Sequence, residues 1–498
     1  MRNFSFPLLL LFVLSLGCKP KESDPPATGN DTASAPGYPI AIGQIIKQKC
    51  LSCHNADNAK YSGGLRLDNW DLLMAGGNVG PDIIPYHLEN SVLLQYINTY
   101  DDLGLKLQPT MPINGVPLTH DQVKMFQDWV TNGAPNKDGY VAFSSNPDTR
   151  QKIYVTMQAC DLLAVIDAET KIVMRIIPVG KTPGIEAPHC VRVDNAGRYA
   201  YVSFTAGDYV QKIDTRTDKI VGEINMRTAR RDPSIPASWN VLTLSEDGSQ
   251  FVISNFSDNG QVFLVNTADM TIAKEYVDPG AFKTPHASAA NAAFDTFYVT
   301  AQYGNTVYKI SKEGIVFPVS IDGNPANTTT NTRDPHEIIM FPGGNAYAVT
   351  CQASNEVRII DAHTNAVLAA LPVGTYPQEV ALSTTKPWLF VTCMEDQTNP
   401  MPASKGSVYV IDYRTMQIVK KIYGPFWQPH GITVDDRNGK VYVASRNVGS
   451  GIPPHHASAC AGQNGFYNVL DLETLTLTRD TRYEVSVEPY SADVRFKN

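Results

Sequence analysis

From residue 150 to the C-terminus the chain repeats a short pattern, and that repetition limits its fold more than any other feature. Pro188-His189-Cys190-Val191, Pro285-His286-Ala287-Ser288, Pro335-His336-Glu337-Ile338, Pro377-Gln378-Glu379-Val380 and Pro429-His430-Gly431-Ile432 each open a unit, and Ser238-Trp239-Asn240-Val241 fills the slot between the first two. Each opening is followed by a strand such as Tyr154-Val155-Thr156, Tyr201-Val202-Ser203, Tyr298-Val299-Thr300 or Tyr442-Val443-Ala444. A third strand then ends on Asp, as in Val165-Ile166-Asp167, Ile359-Ile360-Asp361 and Val410-Ile411-Asp412, and a more variable strand completes the unit. With anchors at 189, 239, 286, 336, 378 and 430 the spacing is 42 to 52 residues. Four strands at that period predict one blade of a β-propeller. The first unit, Gln151 to Gly180, has no opening strand, whereas the run from Pro489 to Phe496 has the opening pattern with no unit to follow it. The C-terminal strand is therefore expected to complete blade one, which gives seven blades and leaves no open edge.

A different signal lies upstream. Cys50-Leu51-Ser52-Cys53-His54 has the spacing of a c-type haem attachment site, in which two thiols add to the haem vinyl groups and the adjacent imidazole becomes the proximal iron ligand. A zinc half-site would need two more Cys or His ligands at suitable spacing, and none follows nearby. Apolar residues at helical spacing predict helices at 41–49, 88–96 and 119–131, the last capped by Thr119 with Val123, Phe126, Trp129 and Val130 on its inner face. Met111, between prolines in Gln108-Pro109-Thr110-Met111-Pro112, is the expected sixth ligand, with His87 as its rival. The expected architecture is multidomain: a small all-α cytochrome c domain at 39–137, followed by an all-β seven-bladed propeller at 150–498.

Two resemblances follow from these residues. The haem motif, Ser62-Gly63-Gly64-Leu65-Arg66-Leu67-Asp68, Met111-Pro112, Pro117-Leu118-Thr119 and Trp129-Val130-Thr131-Asn132-Gly133-Ala134 resemble the monohaem cytochrome c module of the planctomycete type, which implies His54 and Met111 as axial ligands. The repeats resemble the Tyr-Val-Thr-Asn family of propellers. The combination also loosely resembles nitrous oxide reductase and the two-haem nitrite reductases, without residue-level identity to either.

The first 18 residues read as a targeting segment: Arg2, then an apolar run from Leu8 to Leu16 too short to span a bilayer, ending Leu14-Ser15-Leu16-Gly17-Cys18. This pattern resembles a bacterial lipoprotein signal cut before Cys18; the alternative is an ordinary secretory signal. Residues 19–38, rich in Pro, Ser, Thr and Asp, are expected to form a flexible tether. The expectation is a cell-envelope protein held to a membrane by lipid, on the periplasmic or outer-membrane side. The net charge of −8 gives no electrostatic reason for a nucleic-acid partner; a redox partner protein or a small-molecule substrate is expected instead.

Histidine placement carries the remaining functional signal. Four of the ten, His189, His286, His336 and His430, hold one repeat position at the start of the innermost strand, so they are expected to converge on the propeller axis. His455 and His456, in an insertion from Arg446 to Phe466, are expected on the same face. Imidazoles in such a cluster suit a transition metal, and copper is favoured because it is redox-active and tops the affinity order for nitrogen ligands. The alternative is a repeat consensus in which each His bonds its neighbour's backbone. Gln158, Gln302, Gln352, Met394 and Arg446 are expected around the same mouth. Of the remaining cysteines, Cys160 with Cys460 and Cys351 with Cys393 are plausible disulfides, the latter two also plausible ligands, and Cys190 is expected to be unpaired. Two functions fit: a metal-dependent redox enzyme whose cytochrome feeds the propeller, or a non-enzymatic electron-transfer lipoprotein whose propeller docks a partner.

Overall fold

The structure, a computed structural model, describes residues 34–227, 238–277, 282–324, 327–328, 331–458 and 460–497. The targeting segment, Cys18 and most of the expected tether lie outside these residues. Ala35 and Tyr38 are buried in the first domain, and the Tyr38 hydroxyl donates to the Asn69 carbonyl (3.0 Å), so packing begins before the expected boundary at 39.

Four α-helices stand among the described residues: α1 (Ile40–Lys49), α2 (Trp70–Met74), α3 (Val92–Ile97) and α4 (His120–Thr131). Helix α1 buries Ile42, Ile45 and Ile46 at the i, i+3, i+4 spacing of one face, with Lys47 and Lys49 at its negative end. Gly43 is required there, because a Cβ would lie 2.9 Å from the Ala35 carbonyl. Helix α4 starts in a capping box, Thr119 accepting from the Gln122 amide and Gln122 from the Thr119 amide, and buries Val123, Phe126, Trp129 and Val130. Helix α3 begins four residues later than its periodicity suggests. The Ser91 hydroxyl is engaged with the His87 carbonyl (2.6 Å) and the Ile84 amide (2.9 Å), which holds 88–91 in a turn. Helix α2, absent from the sequence expectation, is capped by the Asn69 side chain.

Seven antiparallel sheets follow, and the C-terminal strand Pro489–Val494 is the innermost strand of blade one, beside Lys152–Met157. Blades one to seven thus open on Pro489–Val494, Pro188–Val193, Trp239–Leu244, Pro285–Ala290, Pro335–Met340, Pro377–Leu382 and Pro429–Asp435. Blade seven carries a fifth strand, Tyr483–Val487. Pairing corrects one register: Trp239 lies opposite Asn255 as Pro335 lies opposite Cys351, so Trp239 holds the proline slot and Asn240 the histidine slot.

The repeat residues have definite mechanical roles. The hydroxyl ending the second-strand motif donates to the histidine-slot carbonyl of the next blade: Ser203 to Asn240 (2.5 Å), Ser254 to His286 (2.9 Å), Thr300 to His336 (3.0 Å), Thr350 to Gln378 (3.0 Å) and Thr392 to His430 (2.8 Å). The Asp ending the third strand accepts an amide three residues on, as in Thr170 to Asp167 (2.9 Å) and Thr364 to Asp361 (2.7 Å), and so sets the turn into the outer strand.

The two domains are docked. The Glu484 amide donates to the Val79 carbonyl (2.7 Å), Arg479 to the Asn78 carbonyl (3.0 Å) and Arg175 to the Ala142 carbonyl (2.9 Å), while Ile84 joins an apolar cluster with Ile153, Val173 and Val485.

Candidate functional site: a haem motif and a histidine hub

The haem motif forms the C-terminal exit of α1. The Cys50 amide still donates to Ile46 (2.9 Å), and the His54 amide turns back to Cys50 (3.0 Å). Both thiols are unpaired and half-buried. Burial, with the neighbouring Cys53, pushes the Cys50 thiol up to about 12, which keeps it protonated. Burial lowers the His54 pKa against an opposing effect of the Leu65 backbone, which favours the neutral imidazole that an iron ligand must be. His54 Nδ1 is buried without a partner. Adjacent free thiols beside a neutral, incompletely satisfied imidazole are the donor set that covalent haem requires, so the residues fit the group. Met111 is held by its amide on the Tyr96 carbonyl (2.8 Å) and packs in the same cluster as Cys50 and Leu51. His87 is committed to its own turn, its Nδ1 accepting from the Asn90 amide (3.3 Å).

At the propeller axis the four repeat histidines do meet. Neighbouring ring centroids are 5.6 Å apart for His189 and His286, 4.2 Å for His286 and His336, and 5.9 Å for His336 and His430. Tyr490, the blade-one equivalent, closes the circle, stacked on His430 at 3.7 Å and 4.5 Å from His189. Its place in the opening pattern was legible in the sequence, but its role as a hub residue was missed. The histidines are buried, and burial lowers the pKa of each, with His286 down to about 4. Two follow the repeat-consensus expectation in part: His286 Nδ1 bonds the His336 carbonyl (3.2 Å) and His430 Nδ1 the Tyr490 carbonyl (2.8 Å). Such a bond makes Nδ1 the donor and leaves Nε2 with its lone pair. His189 Nε2, His336 Nδ1 and His430 Nε2 are buried without partners. Above the ring, Gln158 meets His189 (3.2 Å), Gln302 meets Gln352 (3.3 Å), and Arg446 touches Met394 (3.7 Å) and lies over Tyr490.

His455 and His456 are not brought to this ring. Glu484 accepts both of their backbone amides, and the disulfide Cys160–Cys460 ties the same loop to blade one. His456 faces the cytochrome domain, its ring 6.2 Å from Tyr96 and its Nδ1 3.1 Å from Glu484. The expectation of six converging imidazoles is thus corrected to four. Cys351 and Cys393 are buried and free, not bonded to each other, because each packs into a different inter-blade cluster; Cys190 is also free.

Sequence reasoning also missed a charged group beneath the ring. Glu337 and Glu379 are buried on the innermost strands of blades five and six, with Arg192 of blade two 3.6 Å from Glu337. Burial pushes both carboxyls up, and Arg192 opposes the shift. Ionisable residues inside strands that otherwise read as core were the available signal. His286, His336 and Glu337 each offer a ligand atom within 4.8 Å of the others.

Fold and site together define a small cytochrome c domain joined to a seven-bladed β-propeller. Comparison with known proteins agrees for the first part: residues 50–105 match the Planctomycete cytochrome C family. The PE-PGRS family protein PE_PGRS18 of Mycobacterium tuberculosis is 45% identical over 56 residues, which are 11% of this chain and 12% of that protein, so the similarity spans about an eighth of the curated relative's length. Among solved structures, Kuenenia stuttgartiensis Hydrazine Synthase aligns with a TM-score of 0.46 at 16% identity, covering 63% of this chain and 92% of that one. A protein of unknown function from Bacteroides caccae aligns with a TM-score of 0.40 at 12% identity, covering 55% and 94%. Both likenesses are remote.

Proposed function

We propose that this chain is an exported electron-transfer protein that carries haem c on Cys50 and Cys53, with His54 and Met111 as axial ligands, and exchanges electrons with a transition metal at the propeller hub. The observation that carries the reading is the pair of free thiols and the neutral His54 at the end of α1, inside the segment that matches a cytochrome c family. When bound, the haem supplies a one-electron couple, and a Met ligand raises its potential while closing the iron to added ligands. The residues do the rest. Helix α1 presents the thiols, burial keeps His54 neutral, and the Tyr96 carbonyl fixes the Met111 loop.

For the hub, support comes from the buried imidazoles, whose burial disfavours the charged form, and from His336 Nδ1, which is buried without a partner. Cys18 is the proposed lipid attachment point, which places the protein at the cell-envelope membrane with a redox protein or a small molecule as partner. The test is Met111→Ala. A lowered reduction potential and newly acquired carbon monoxide binding are expected, and an unchanged potential with no binding removes Met111 from the iron. Fractionation of Cys18→Ser tests the anchor: release into the soluble fraction is expected, and a variant that still sediments with membranes removes it.

A further inference from the structure

The hub is not symmetric, and the asymmetry selects a metal. Along a regular strand Glu337 would point away from His336, because successive side chains alternate. Here, as at the same place in the other blades, the pairing slips, between Pro335 and Ile338, so His336 and Glu337 sit together in a bulge; among the hub histidines only His336 has an acid beside it there. A bulge re-aims a side chain, and Glu337 lies with His286 and His336, their ligand atoms within 4.8 Å. Glu337 Oε2 and His336 Nδ1 are both buried without partners, which is costly unless something completes them. His286 is already oriented as metal-binding histidines are, with Nδ1 on a backbone carbonyl and Nε2 bare. His189 and His430 have no acidic residue beside them in sequence, since Cys190 and Gly431 follow them.

Two imidazoles and one carboxylate on one side of an ion leave its other positions open, and that donor set suits non-haem ferrous iron; tetragonal copper favours a different arrangement. Glu337 also lines a cavity of about 360 Å³ on the side of the hub away from the imidazoles. Arg192, Glu379 and Asp493 supply its polar wall, Leu242 and Val380 part of its apolar wall, and Asn195 at its rim is exposed. That volume falls in the range of small-molecule sites.

We propose that His286, His336 and Glu337 hold a ferrous ion whose open positions serve a small solute in this cavity, an assignment that rests on the reading that the hub holds a metal. The test loads full-length, haem-bearing, otherwise metal-free protein anaerobically with ferrous iron alone, and separate samples with copper or zinc alone, because copper would outcompete iron at most nitrogen sites. Non-haem metal per haem is then measured for the wild type, Glu337→Gln, Glu337→Asp, His189→Gln and His430→Gln. About one iron per haem is expected in the wild type, in His189→Gln and in His430→Gln, with at least a tenfold loss of affinity in Glu337→Gln. Glu337→Asp keeps a carboxyl beside Arg192 and so guards against misfolding; it is expected to retain weakened binding, with the haem spectrum and far-ultraviolet dichroism of every variant unchanged. Metal kept in Glu337→Gln but lost in His189→Gln or His430→Gln overturns the triad and leaves a hub metal standing. Uptake of copper or zinc but not of ferrous iron, each supplied alone, overturns the iron assignment. No non-haem metal in any protein overturns the hub reading as well.

Discussion

The haem motif and the propeller hub assemble polar chemistry in opposite ways. The first is contiguous: five residues at the end of one helix carry both thiols and the imidazole, and local geometry suffices to present them. The second is dispersed, with one residue from each of several blades, none near another in sequence, brought together only when the ring closes through Pro489–Val494. A contiguous site should therefore survive damage to the rest of the fold, whereas the dispersed one should fail with any loss of closure.

The largest expected effect separates the two outright. Cys50→Ala with Cys53→Ala should abolish covalent haem, measured as haem remaining with the denatured polypeptide, while leaving the unfolding of the propeller unchanged. Loss of propeller stability in that variant would mean that the regions are less independent than their construction implies.

A smaller effect tests how the hub is held. Thr300→Val removes the hydroxyl that clasps the His336 carbonyl, and Thr392→Val removes the equivalent bond to His430, which lies outside the proposed triad. Each should cost about 1–3 kcal/mol in denaturant unfolding, because a buried carbonyl loses its donor. Only Thr300→Val should also weaken metal uptake, since His336 is its target; equal metal affinity in the two would sever the clasp from the site.

The smallest effect concerns the contact between the regions. Asp82, beside His456 and the Gly77 amide, has its pKa raised by burial from 3.8 to about 6. The folded state therefore holds this proton more tightly than the unfolded one. The associated stability is complete below pH 3.8 and is lost as pH rises through about 6. Asp82→Asn is expected to flatten the pH dependence of unfolding across that window; an unaltered profile would assign the slope to other groups.

The same contrast explains what the sequence revealed. A contiguous motif is read directly, and so was the seven-blade count, because each blade repeats its own signature. The six-imidazole cluster was misread because the position of His456 depends on Glu484 and on the Cys160–Cys460 bond, neither of which has a local signature. Glu337 is hidden by strand alternation, and the bulge that sets it beside His336 and His286 leaves no local signature in the sequence. Helix α2 is five residues long, too short for helical periodicity to register, and Ser91 withdrew the first turn of α3 by bonding backward to His87 and Ile84.

On the proposed function one chain holds two redox centres, one on the helix and one on the hub. A coulometric titration of the full-length, metal-replete protein, followed by haem absorbance, tests it most directly. About two electrons per haem are expected, one changing the haem spectrum and one leaving it unchanged. Uptake of a single electron, wholly accounted for by the haem bands, would contradict it.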